Sequence, residues 1–174
     1  MAHSIIKLYD YHKWANSLIL NRLKELPEEI YHQEIQSVFP SISKVVSHLC
    51  AGDQIGLDVF AGAPFDEAMK LYEQRFKEVE GKKLVDVEPL FDDLYARFDD
   101  FLKEKRDFDK SFPFNNPWIG DMEMSIAEMI QHIVNHGTYH RGNITAMLHQ
   151  LGYTSVNMDY PRFLYQWKEK IQSH

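Results

Sequence analysis

At 174 residues the chain is long enough to bury a core, and it is expected to form a single domain over residues 1–174. A net charge of -7 with no basic stripe excludes nucleic-acid binding by phosphate neutralisation. Cys50 is alone, no apolar run could span a bilayer and no leader pattern opens the chain, so a cytoplasmic protein with no membrane partner and no intrachain disulfide is expected.

The first helix is expected from Ser4 to Leu26, stopped by Pro27. Its apolar stripe is Ile5, Leu8, Tyr9, Ala15, Ile19 and Leu23, spaced by threes and fours, and His12 and Asn16 fall on the same stripe. A polar loop follows from Pro27 to Pro40, with Ile35, Val38 and Phe39 as a small apolar anchor. Ser41 is a natural N-cap for a second helix reaching Phe60. Its inward face reads Ile42, Val45, Leu49, Gly52, Gly56 and Val59. Glycine costs helix propensity, so two on a core face predict another backbone approaching closely there. Ala61-Gly62-Ala63-Pro64 ends this helix.

Residues 65–87 are strongly charged and interrupted by Gly81, and read as a loop carrying a short surface helix. A third helix is expected from Glu88 to Arg106, with Leu90, Phe91, Leu94, Phe98, Phe101 and Leu102 inward and its carboxylates on a solvated face. Pro113, Asn115-Asn116-Pro117 and Gly120-Asp121 supply turn chemistry between two extended pieces, Ser111–Phe114 and Met122–Met124. Ser125-Ile126-Ala127-Glu128 is a capping box opening a fourth helix that runs to Leu151, where Gly152 ends it. A shorter helix from Tyr160 to Lys170 turns Phe163, Leu164 and Trp167 inward. Four long helices with one apolar stripe each bury those stripes best as a bundle. The expected class is therefore all-α, a four-helix bundle with a short C-terminal helix and minor extended segments.

The chemistry concentrates in histidine. His136 and His140 are four apart, which stacks two imidazoles on one helix face. The stripe Ile126, Met129, Ile133, Ile144, Met147 and Leu151 defines the inward direction of that helix, and His140 lies near its middle. His136 lies on its flank, and His132 about 40° further out. His48 occupies a comparable flank of the second helix, so two facing helices can bring three imidazoles together. Three histidines with an open position are the donor set of a catalytic zinc. The competing reading is a set of hydrogen-bonded core histidines, but three on core-facing edges favour metal.

The neighbouring residues divide less sharply. His12 is read as a partner behind the site or a plain core histidine, ahead of a fourth ligand. Asn16 on the same face would orient a ligand or substrate group. Asp53 is either an acceptor beside the site or a surface residue. Cys50 lies about 200° around the helix from His48 and is a poor candidate for the same site. Arg141 points away from the histidine pair, toward a structural salt bridge or an interface.

The string Gln131-His132-Ile133-Val134-Asn135-His136-Gly137-Thr138-Tyr139-His140-Arg141-Gly142-Asn143-Ile144, followed by Leu151-Gly152, resembles the signature of the DinB-like (damage-inducible) family. Tyr9-Asp10-Tyr11-His12-Lys13-Trp14-Ala15-Asn16 is similar to that family's first-helix motif, and Val45-Val46 with His48-Leu49 to its second-helix motif. The resemblance covers the full length. It implies an up-down-down-up bundle, commonly a homodimer, with zinc or nickel held by His48, His136 and His140. It also implies a small-molecule substrate, with a low-molecular-weight thiol as candidate cosubstrate. The wider superfamily includes S-transferases that use bacillithiol or mycothiol and a maleylpyruvate isomerase. Two functions follow as expectations: a metal-dependent S-transferase or hydrolase, or a non-catalytic, stress-induced metal-binding bundle.

Overall fold

The computed structural model describes residues 4–105 and 107–172. In chain order its elements are α1 (Ser4–Lys24), α2 (Glu28–His32), α3 (Ile42–Phe60), α4 (Phe65–Lys70), α5 (Tyr72–Glu80), α6 (Leu84–Glu104), β1 (Ser111–Asn116), β2 (Gly120–Ser125), α7 (Ile126–Gln150) and α8 (Tyr160–Gln172). Two of the long helices start at the caps expected of them. Ser41 accepts from the Lys44 backbone N–H, and Ser125 and Glu128 close a reciprocal capping box at the head of α7.

Helix α6 departs from expectation by starting at Leu84 instead of Glu88. Leu84 and Val87 are buried, and Pro89 lies only five residues into the helix, where its missing N–H forfeits a single bond. Arg106, the expected end, lies outside the described residues. The segment read as a loop with a short surface helix is mostly helical, as α4 and α5. Ala68 and Val79 are its buried anchors, too few to print a clear stripe on so charged a sequence. The loop after Pro27 holds the one-turn α2, and Val38 is 72% exposed, so it is no part of the apolar anchor formed by Ile35 and Phe39.

Helices α1, α3, α6 and α7 form a four-helix bundle, and cross-links along their lengths give its directions. Lys24 at the end of α1 pairs with Glu88 near the start of α6 at 2.7 Å, so these two are antiparallel. The ends of α3 and α6 meet where Phe60 stacks on Phe101 at 5.7 Å, so these run parallel. Gly52 faces His136 and Gly56 faces Ile133, which sets α3 antiparallel to α7. The order is up-down-down-up. The glycine expectation needs correction: side chains of α7, rather than another backbone, occupy the space left on α3.

The hairpin β1–β2 pairs Ser111 with Ser125 and Asn116 with Gly120, and Gly120 adopts φ +98° where the chain re-enters β2. Phe114 is buried and meets Phe65 edge-on at 5.4 Å, which leans the hairpin against α4. Helix α8 covers α1, where Tyr11 meets Phe163 and the Trp14 indole donates to Gln166 at 2.8 Å. No helix among the described residues is long and apolar enough to cross a membrane.

Candidate metal centre

His48 from α3 and His136 and His140 from α7 point their rings at one another. The Nε2 atoms of His48 and His136 are 2.9 Å apart, and those of His140 and His136 are 3.1 Å apart. Among the described residues these three form the only group of His, Cys, Asp or Glu spaced to hold a metal ion. Hydrogen bonding cannot account for the cluster. The Nε2 of His136 faces two neighbours, and one nitrogen carries one proton or one lone pair, so it cannot serve both well. Ligands about 2.0–2.1 Å from a tetrahedral zinc lie roughly 3.3 Å from one another, close to these separations. The donor set fits a divalent cation.

The outward ring nitrogens are also engaged. With Nε2 turned inward, His48 Nδ1–H donates to the Tyr72 hydroxyl at 2.5 Å. This contact comes from α5, in the segment expected to be a loop carrying a short surface helix. The Asn143 amide lies 3.4 Å from Nδ1 of His140, and its oxygen can accept from that nitrogen when the amide is turned toward it. Such partners fix the tautomer and direction of a ligating imidazole. Phe39 packs on His48 at 5.1 Å and on His140 at 5.5 Å, closing one side of the cluster. His132 stacks on His136 with centroids 5.9 Å apart but stands outside the three-nitrogen group, on the exposed side.

Burial, and then the neighbouring imidazoles, hold His136 and His140 down to about 4, while burial lowers His48. The folded state therefore keeps these rings neutral, which is the ligating form. The sign of the pH dependence follows. Between the ordinary value of 6.5 and about 4, the unfolded chain binds protons that the folded chain refuses. Metal-free protein should hold its stability above pH 6.5, lose it as pH falls toward 4, and level off below that. Urea midpoints across this range should show the loss, and His136→Gln should flatten it.

Behind the histidines lies a buried polar network that ties α1, α3 and α7 together. Arg141 is 2% exposed, and its Nη1 donates to Asn16 Oδ1 at 2.7 Å and to His12 Nδ1 at 3.3 Å. The lone pair on Nδ1 puts the His12 proton on Nε2, which donates to Asp53 Oδ2 at 2.8 Å. Asn16 Nδ2 donates to Tyr95 at 2.9 Å, and Arg141 Nη2 to Thr138 at 2.9 Å. His12 thus bridges a cation and a carboxylate and is neither a ligand nor a free base. Asp53, 1% exposed, is not a surface residue. Arg141 does point away from the histidine pair, but into the core and not toward an interface.

This network depends on Gly137. A Cβ there would sit 2.4 Å from His12 Cε1 and 2.8 Å from Arg141 Nη1, both held by hydrogen bonds. Gly137→Ala should therefore destabilise the protein by roughly 1–3 kcal/mol through overpacking, against about 1 kcal/mol of helix propensity gained. Gly56→Ala is the control. Its Cβ would meet one side chain, Ile133, whose terminal Cδ1 at 2.7 Å can swing away and whose Cγ1 stands at 3.4 Å, so its effect should stay within about 1 kcal/mol. Thermal denaturation of the two variants checks the difference.

Cys50 is fully buried and its thiol is pushed up to about 12, first by burial and then by Asp53, so it supplies no thiolate. A cavity of about 580 Å³ opens beside the cluster, with His48, His136 and Tyr72 at its wall. The site therefore has the open side that a closed structural centre lacks.

The model of the DinB family matches residues 1–170. Protein DinB of Bacillus subtilis (strain 168) is 49% identical over 168 residues, covering 97% of this chain and 98% of that protein. The fold is shared with YfiT of Bacillus subtilis, described as a probable metal-dependent hydrolase with an unusual four-helix bundle topology. There the TM-score is 0.67 at 13% identity, over 88% of this chain and 91% of that one. A mycothiol-dependent maleylpyruvate isomerase superposes with a TM-score of 0.65 at 10% identity, over 93% of this chain. This chain spans 66% of the isomerase's length.

Proposed function

The chain belongs to the DinB family, and from that premise and the geometry of the three imidazoles we propose a divalent-metal-dependent enzyme that transfers a low-molecular-weight thiol to a small electrophile. The observation that carries this reading is the convergence of three neutral Nε2 atoms at the edge of an open cavity. His48, His136 and His140 are the ligands in this reading. A bound zinc or nickel ion would lower the pKa of a thiol or water at the open position.

The chain's own groups favour an anionic partner there. Three neutral imidazoles contribute no charge, and the Asp53 carboxylate is already matched by Arg141 through His12. Nothing buried beside the cluster therefore offsets a divalent charge, and a thiolate does so better than a neutral ligand. Tyr72 holds the His48 ring, and Phe39 shields one face of the cluster from water. In the transfer the thiol loses its proton to solvent, its sulfur bonds to the electrophilic carbon, and the leaving group departs with the displaced electron pair. The shared fold with YfiT supports a metal, and the shared fold with the isomerase supports a thiol. In the same reading residues 1–174 act as one cytoplasmic domain, paired as a homodimer.

The test is conjugate formation between 1-chloro-2,4-dinitrobenzene and bacillithiol or mycothiol by zinc- and nickel-loaded protein. Metal-dependent conjugation, lost in His136→Ala, is the expected result. Bound metal without conjugation or hydrolysis across thiols and model esters would leave the non-catalytic bundle as the correct reading.

A further inference from the structure

The cavity beside the histidines has a direction, set by the two helices that wall it. On α3 its wall passes from His48 through Gly52 and Gly56 to Val59, eleven residues or about 16 Å along the axis. On α7 it passes, antiparallel, from His136 through Ile133 to Met129. Phe65 and Met69 of α4 and Phe114 and Met124 of the hairpin close the far side. Along α3 and α7 the lining thus passes from imidazoles to aliphatic side chains, and Asn116 of the hairpin adds one amide. Among the described residues no Lys or Arg lines this space, and its single carboxylate, Asp53, is bound to His12 through one oxygen, with the other shut from the cavity by burial.

We propose that this cavity is the acceptor subsite, and that it takes an electrophile with an uncharged, apolar, aromatic-sized body whose reactive carbon lies at the His48–His136 end. The proposal rests on the transfer reading for its chemistry, but the cavity's preference stands on its walls alone. Away from the ion proposed at the histidine end, an acidic body would leave water for walls that carry no Lys or Arg to receive it, at a cost in affinity set by desolvation. A body of two fused rings with a short substituent fits the volume of about 580 Å³. Trp118 is 71% exposed and lies on the lining of the same space, so its indole marks the rim and reports occupancy by fluorescence.

Two probes on one scaffold test this: neutral N-phenyl-1-naphthylamine and its sulfonated counterpart, 1-anilinonaphthalene-8-sulfonate, titrated into the protein as purified. The neutral probe should bind once per chain and quench Trp118, and the sulfonate should bind at least ~10-fold more weakly. Met69 is only partly buried, so its variants should fold. Met69→Arg should reverse the order of the two probes, and Met69→Trp should fill the space and abolish both. Equal binding of the two probes to wild-type protein, or no change of order in Met69→Arg, would overturn the proposal. His48→Ala separates it from the metal reading. Neutral-probe binding retained in that variant keeps the cavity whatever the metal does. A metal-binding wild-type protein that ignores the neutral probe rejects the cavity and leaves the metal intact.

Discussion

Replacing His136 with alanine should lower zinc affinity by on the order of 10³-fold or more. Losing a hydrogen-bond partner of a ligand costs roughly 10–100-fold, and losing one of only three protein donors must cost more. His136 is the central member, since its Nε2 faces both His48 at 2.9 Å and His140 at 3.1 Å. Alanine at 136 therefore leaves only two imidazole donors, one on each of two helices. His140→Ala should behave alike. His132→Ala is the sharp control, because His132 also stands at i,i+4 from His136 and stacks on it, yet lies outside the converging nitrogens. Isothermal titration with zinc should find wild-type affinity in His132→Ala. Loss of zinc there, with retention in His136→Ala, would reassign the ligands.

Arg141→Ala should cost roughly 3–5 kcal/mol of stability, the range for removing one partner of a buried charge pair. Asp53 would then remain 1% exposed, hydrogen-bonded through His12 but with no cation beyond it. At this chain length that corresponds to a melting temperature lowered by roughly 6–20 °C. Arg141→Lys should recover only part of the loss. An ammonium cannot reach Asn16, Thr138 and His12 with the planar fork that Arg141 spreads over them. If the pair is coupled, Arg141→Met with Asp53→Asn should destabilise less than the sum of the two single changes. Additive losses, or a loss below ~1 kcal/mol for Arg141→Ala, would mean that the bridge through His12 carries no charge coupling.

The bundle was legible where sequence carries local signals. Ser41 and the Ser125–Glu128 box mark helix starts that owe little to tertiary context, and both caps form. His48, His136 and His140 converge as their helical faces imply, because rings on facing flanks of two long helices have few places to go. Local signals fade where burial is sparse. Helices α4 and α5 anchor through Ala68 and Val79 among charges, so the Tyr72 hydroxyl that orients His48 was hidden in a segment without a stripe. The direction of Arg141 was right, but a helical wheel shows one helix only. Nothing on it reveals that α1 brings His12 and Asn16 to meet the guanidinium. Asp53 stood open between two readings for the same reason, and packing against α1 decides it. Gly137 carries a signal of its own: a glycine inside a long helix, next to a histidine, marks a place where another side chain presses close.

Elemental analysis of purified, tag-free protein beside His48→Ala decides whether His48, His136 and His140 hold one divalent ion. The expected result is about one zinc or nickel per wild-type chain and none retained in the variant. Wild-type protein that binds no metal after anaerobic reconstitution with zinc, nickel, iron and manganese would contradict it, and the three imidazoles would then be core residues of the bundle.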